Sequence, residues 1–351
     1  MRALVICLIL MTMSVSVSNT RNTVRPLNPE NRLFIVTLDG FRWEEVFNGA
    51  DSSLINDPEI NTDTSLAKAL YWDNDLSERR KKLMPFFWSV IARQGQLYGN
   101  RNYDNDVNVA NPYALSYPGY SELLTGNIDY SIWKNEKKKN HNQNILEVLN
   151  RSSAYSGKVA AFTSWELFPF ILDKEDKGSF VLNSGVQKIN EKNLSPSQSL
   201  LNELQERIPD KEAPTRYDEL TYIACKEYVL KNKPSVVLLS FSGTDNAAHS
   251  NHYDQYLQEA NNADRMVGEL WQLVQSMPEY EGHTAFLITT DHGRGKNKTN
   301  WNDHGFFVPG SSQTWYALLG NKIVPHGEMK VKTQVYQKNL NALIPELLSR
   351  K

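Results

Sequence analysis

Asp245-Asn-Ala-Ala-His249 sets a carboxylate and an imidazole four residues apart. On a helical turn that spacing puts both on one face, where they can hold a cation. Asp291-His292 places two more donors side by side, and Asp303-His304-Gly305 adds an imidazole a short loop later. Adjacent residues reach one ion only from an irregular turn, for which Gly293 gives freedom. Mixed carboxylate and imidazole donors suit zinc best, with manganese or iron as the other fits. Singly, each of these residues reads as a cap, a turn former or a packing residue; as a group they read as a metal site. Two such ions about 4 Å apart favour displacement at phosphorus or sulfur. The nucleophile is then a hydroxyl or water beside them. Ala114-Leu-Ser-Tyr-Pro-Gly-Tyr-Ser-Glu-Leu-Leu-Thr-Gly126 offers Ser116, expected at a loop-to-helix junction whose free N–H groups favour an anion. Pro118 and Gly119 are expected to shape that turn, and an N-cap role for Ser116 is the plainer alternative. The remaining histidines, His141, His252, His283 and His326, lie in polar surroundings and are expected to be exposed.

Positioning these groups requires a frame. Short apolar runs rich in β-branched and aromatic residues recur at Leu33–Leu38, Val159–Phe162, Val236–Phe241, Ala285–Thr290 and Trp315–Leu319. Continuous rather than alternating apolarity marks strands buried on both faces. Helical patterns lie between them, at Ser121–Thr125, Ile145–Leu149 and the long stretch Tyr253–Met277. This order predicts a layered α/β fold with a mainly parallel sheet. Three runs end in acid: Asp39 follows Leu38, Asp245 closes Ser-Gly-Thr-Asp after Phe241, and Asp291 follows Thr290. Parallel strands would bring these carboxylates to one sheet edge, where ligands bind in open α/β sheets. The polar stretches near 48–110 and 165–232 follow strand ends and are expected to cap that edge.

The bulk composition excludes several classes. The 351 residues, 40% hydrophobic and 22% charged, suffice for a large core. A formal charge of −2 gives no electrostatic reason for a nucleic-acid or membrane-surface partner. Arg2 precedes an apolar run from Ala3 to about Val17, followed by small polar residues. This is the pattern of a secretory signal peptide over residues 1–20, and the run is short for a membrane span of about 20 residues. Export to the periplasm or medium follows, with no stable membrane span after cleavage; a retained N-terminal anchor is the competing reading. Cleavage would remove Cys7, leaving Cys225 as a packing residue and no internal disulfide.

Together, Thr37-Leu-Asp-Gly-Phe41, Ser116 to Gly126, Ser242-Gly-Thr-Asp-Asn-Ala-Ala-His249, Thr290-Asp-His-Gly293 and Trp301-Asn-Asp-His-Gly305 resemble the alkaline phosphatase superfamily, especially its type I phosphodiesterase and nucleotide pyrophosphatase branch. The resemblance implies an α/β/α catalytic domain over residues 21–351. It implies one ion on Asp245, His249 and His304 and another on Asp39, Asp291 and His292. Ser116 would bridge them and form a phospho-enzyme. Asn135 is nominated as a contact of a non-bridging phosphoryl oxygen, and Arg294 as an anion contact or, equally, a structural salt bridge. The expected partner is a small-molecule phosphate ester.

Departures narrow this. Nucleotide pyrophosphatases typically carry threonine where Ser116 stands. Sulfatases of the superfamily need arginine at the position of Tyr120. Phosphomonoesterases with a Lys and Arg pair after the next strand find neither in Thr163-Ser-Trp-Glu-Leu-Phe168, which favours diesters; Trp165 and Phe168 are candidates for stacking on a leaving-group ring or, equally, for core or cap packing. Phosphoglycerate mutases share the ligands but are cytosolic and longer. The alternatives are a sulfuric ester hydrolase and a non-catalytic metal-containing protein of this fold.

Overall fold

The computed structural model describes residues 26–173, 180–191, 193–207 and 215–349, so the signal-peptide reading of residues 1–20 lies outside it. Among the described residues eleven strands run in chain order as β1 (Arg32–Leu38), β2 (Gly95–Tyr98), β3 (Asn105–Asn108), β4 (Val159–Thr163), β5 (Val181–Ser184), β6 (Val236–Phe241), β7 (Thr284–Thr289), β8 (Gln313–Thr314), β9 (Tyr316–Gly320), β10 (Gly327–Glu328) and β11 (Thr333–Tyr336). Eight form the central sheet in the order β10-β2-β9-β7-β1-β6-β4-β5, and β11-β3-β8 form a small second sheet. From β7 through β5 every neighbouring pair is parallel. β9 runs antiparallel between β7 and β2. The molecule is a mixed α/β fold around a mostly parallel sheet.

Both faces of the sheet are covered, which explains the unbroken apolar runs. Phe34, Val36 and Leu38 of β1 enter one core with Val237, Leu239, Phe286 and Ile288. Leu33 and Ile35 point the other way, with Val236, Leu238 and Leu287. Each such side chain, wholly removed from water, contributes about 1.5–3 kcal/mol. The first core is closed by the 23-residue helix Tyr253–Gln275, whose buried Tyr253, Tyr256, Leu257, Ala260, Ala263, Val267 and Leu270 recur at helical spacing. The helices Ser116–Thr125, Ile145–Arg151 and Gln337–Leu348 close the second.

The two polar stretches are woven into this body. Leu54, Ile55, Ile60, Ala67, Tyr71 and Leu83 of segment 48–110 join the first core, and β2 extends the sheet. Segment 165–232 supplies the edge strand β5 and the helix Asp218–Asn232. That helix buries Cys225, and burial pushes its thiol well above the ordinary range. Trp165 and Phe168 meet edge to face at 6.5 Å, and Phe168 lies 4.7 Å from Tyr120. Both are buried core residues here, not a stacking platform for a leaving group.

Candidate active site

β7, β1 and β6 lie side by side, with Leu38 level with Phe241 and Thr37 level with Thr289. Parallel alignment therefore delivers Asp39, Ser242 and Thr290 to one edge. After β6 the chain turns directly into the helix Gly243–His249, which sets Asp245 and His249 one turn apart. Asp218 holds its start by accepting from Ser242 N at 2.9 Å and Gly243 N at 2.8 Å.

Six side chains converge at this edge. His292 Nε2 lies 3.4 Å from Asp39 Oδ1, 3.4 Å from Asp291 Oδ2 and 3.9 Å from Asp245 Oδ1. His249 Nε2 lies 3.4 Å from Asp245 Oδ2 and 3.0 Å from His304 Nε2. The rings of His292 and His304 stack at 3.8 Å. Asp39, Asp291 and His292 form one group whose donor atoms lie within 4.8 Å of one another; Asp245, His292 and His304 form a second. His292 is thus within reach of both groups, whereas the partition implied by the resemblance gave it to one.

The donors fit divalent cations on three counts. Tetrahedral zinc bonds of about 2.0–2.1 Å separate donor atoms by roughly 3.3 Å, close to the spacings above. Asp291 Oδ2 is buried and has no hydrogen-bond partner, although a buried carboxylate oxygen is costly to leave unpaired. Finally, His292 Nδ1 sits 2.9 Å from Gly293 O and His304 Nδ1 sits 3.1 Å from Ala114 O. A carbonyl there fixes the N–H on Nδ1, leaving the Nε2 lone pairs facing the cluster.

Electrostatics agree. Burial, reinforced by Asp39, raises the Asp291 carboxyl above the ordinary range. Burial alone would lower His292, but Asp291 and Asp39 outweigh it and raise the ring above its usual range, a demand for positive charge that a cation would meet in place of the Nε2 proton. Burial and the His292 charge lower both His249 and His304. Like charges crowd the inner half of the cluster, where Asp39 and Asp291 face each other.

Ser116 is the first residue of its helix, after the extended Leu115. It is therefore not the N-cap, and its hydroxyl lies 3.2 Å from His292 Nε2 and 3.4 Å from Asp39 Oδ1. The helix starts five residues earlier than the apolar pattern from Ser121 indicates. Pro118 and Gly119 sit within its first turn rather than in a loop; proline is tolerated there because those N–H groups have no intrahelical acceptor. Gly119 serves close approach: a Cβ would fall 2.4 Å from Asp291 O. Gly293 does likewise, since its Cβ would meet Gln313 O at 2.2 Å, so space rather than an unusual φ calls for glycine.

Asn135 stands at the helix start, its Oδ1 accepting from Tyr117 N at 2.9 Å. Arg294 takes the structural salt bridge, one of the two roles expected of it. The side chain is buried, and it donates to Gly40 O at 3.0 Å, to Asn302 O at 2.6 Å and to Asp245 Oδ1. Its charge orients Asp245 and the 302–304 loop instead of facing a ligand. His252 precedes the Tyr253–Gln275 helix outside the cluster, and His141, His283 and His326 are exposed.

Three residues not singled out from the sequence support this geometry. Tyr120, one turn after Ser116, donates to Asp39 Oδ2 at 3.1 Å; its i+4 spacing was the available signal. Thr244 Oγ1 donates to Asp39 O at 2.6 Å. Buried Glu122 accepts from Ala110 N, Asn111 N and Lys338 N, pinning the loop before Ser116 to the start of the last helix.

Solved structures share this architecture. The lipoteichoic acid synthase LtaP from Listeria monocytogenes aligns with a TM-score of 0.57 at 12% identity, covering 92% of this chain and 72% of that one. The phosphonate monoester hydrolase SpPMH from Silicibacter pomeroyi gives 0.56 at 11%, covering 91% and 73%. The alkaline phosphatase PafA gives 0.56 at 9%, covering 92% and 96%. At such identities the likeness is one of fold, and that fold is the alkaline phosphatase superfamily's. No curated protein sequence matches the chain. The type I phosphodiesterase / nucleotide pyrophosphatase profile, however, matches residues 71–339, from the Tyr71 end of one helix to the last helix and through every element bearing Ser116, Asp245, Asp291 and His304. The chain belongs to the type I phosphodiesterase / nucleotide pyrophosphatase family.

Proposed function

We propose that residues 21–351 form an exported, two-metal hydrolase of phosphoric esters, acting on diesters through Ser116. The observation that carries this reading is buried Asp291 Oδ2, without a hydrogen bond beside Asp39, His292 and Ser116. The inner group Asp39, Asp291 and His292 would hold one ion, and Asp245, His249 and His304 the other, zinc being the best match to the donors. Bound there, the ions supply positive charge for developing negative charge on phosphoryl oxygens.

The residues themselves do the rest. Ser116 Oγ attacks phosphorus from the helix start, its proton having Asp39 Oδ1 as acceptor at 3.4 Å. A P–O bond forms to Oγ, and the bond to the leaving alkoxide breaks with its electron pair. Asn135, its Oδ1 fixed by Tyr117 N, turns its amide N–H groups to a non-bridging oxygen. Water then attacks the phosphoserine, releasing phosphate monoester and Ser116. Tyr120, where sulfatases need arginine, favours this reading over sulfuric ester hydrolysis. The test is a matched panel of aryl monoesters, diesters, sulfates and phosphonates with metal analysis. Diester turnover at about two ions per chain supports the reading. Sulfate turnover with an aldehyde mass at Ser116, or no turnover of any ester, overturns it.

A further inference from the structure

A cavity of about 690 Å³ opens beside the outer face of the metal cluster, with His249 and Asn246 of the Gly243–His249 helix on one wall. Its volume suits a small organic group. The same cavity is lined by Arg216, which is 3% exposed. This guanidinium meets Asn183 Oδ1 at 2.7 Å, Thr221 Oγ1 at 3.0 Å, Gln205 Oε1 at 3.1 Å and Thr163 O at 3.4 Å. All four acceptors are neutral, against five N–H donors. Among the described residues no carboxylate pairs with it, and a buried charge without a counter-ion is costly. Gln205, itself 8% exposed and also lining the cavity, has a buried Nε2 with no hydrogen-bond partner. A buried cation with no direct ion pair, supported only through space by Asp218, and an unused N–H donor therefore line the same cavity.

The acids nearby do not fill this need. Asp218 is turned to Ser242 N, Gly243 N and Ser164 Oγ. Glu259 lies against Gly243, and burial, with Asp218 beside it, raises its carboxyl to about 8. Lys188 pairs with Glu206 at the rim.

Resting on the phosphodiesterase reading above, we infer that this cavity is the leaving-group subsite and that Arg216 and Gln205 take a second anionic group, a carboxylate or phosphoryl, carried by the leaving group. Neither residue touches the reacting phosphorus; they select what departs from it.

Two diesters test this, methyl 4-carboxyphenyl phosphate and its neutral isostere methyl 4-carbamoylphenyl phosphate. The quantity read is the ratio of their kcat/KM values. The wild type is expected to favour the carboxylate at least about tenfold, the worth of one charge-assisted hydrogen bond. Arg216→Met is expected to bring the ratio near one. Should that variant fail to fold, Gln205→Glu gives the buried guanidinium an internal counter-ion and is expected to bring the ratio to one or below. A wild-type ratio near one, or a Gln205→Glu ratio equal to that of the wild type, overturns the assignment. If neither ester is cleaved, the phosphodiesterase reading fails by itself. Calorimetry on chelated protein with 4-hydroxybenzoate and 4-hydroxybenzamide then decides the subsite. Binding of the benzoate alone, lost in Gln205→Glu, supports it; equal binding or none overturns it.

Discussion

The two halves of the metal cluster differ in how they meet water. Asp39, Asp291 and His292 are sealed by the sheet and the Ser116–Thr125 helix, whereas the His249 side chain is 49% exposed and borders the cavity. An inner ion would be fixed by low dielectric and by carboxylates with few other partners. An outer ion would sit where the departing group must pass. The difference assigns permanence to one half and turnover to the other.

The largest effect expected is from Ser116→Ala, which removes the attacking oxygen shared by both halves. Diester turnover should fall by about 10³-fold or more while bound metal per chain stays the same; retention of turnover would remove Ser116 from the chemistry. Next come the halves themselves. Asp291→Asn is expected to cost one ion per chain that dialysis cannot restore, with roughly 10²–10³-fold lower kcat/KM. His249→Ala is expected to cost about 10–100-fold, with the missing ion restored by millimolar metal. Equal metal loss in both variants would break the inner and outer distinction.

Asp264 gives the smallest effect and the sharpest control. Like Asp291 it is a buried carboxyl, raised by burial to about 7, yet both its oxygens accept backbone N–H groups, from Phe86 at 2.7 Å and Phe87 at 2.8 Å. A buried acid serving only structure is satisfied; Asp291 is not. Since the folded value of Asp264 lies above the unfolded one near 3.8, protonation favours the fold. That stability is complete below about pH 4 and is lost as pH rises through 7. In Asp264→Asn the melting temperature should change less between pH 5 and pH 8 than in the wild type. It should also be lower throughout, because one N–H loses its acceptor. An unchanged pH slope would trace the sensitivity to other groups.

Much of this was legible in residue types. The run Val236–Phe241 is a strand end to end, and the run beginning at Leu33 and the one beginning at Ala285 miss their strands by one residue. Three acids after buried runs pointed to one edge because parallel strands allow little else. β3, with the sequence Asn105-Asp-Val-Asn108, has no apolar run, so only its pairing with β8 and β11 makes it a strand. The direction of β9 was equally silent, since an apolar run looks the same in either sense. Arg294 reads equally as an anion contact or a salt bridge until the fold wraps Gly40 and Asp245 around it. Arg216 and Gln205 lie eleven residues apart and meet only through tertiary packing.

The bond from Gly40 N to Asp291 Oδ1 spans 251 residues of chain. An ion held by Asp39 and Asp291 would therefore act as a clip across most of the polypeptide, closing a loop whose entropy an unfolded chain would regain. Metal starvation would thus lower more than turnover. It would loosen the ends of β1 and β7 first, exposing them to proteases while the far side of the sheet stayed folded.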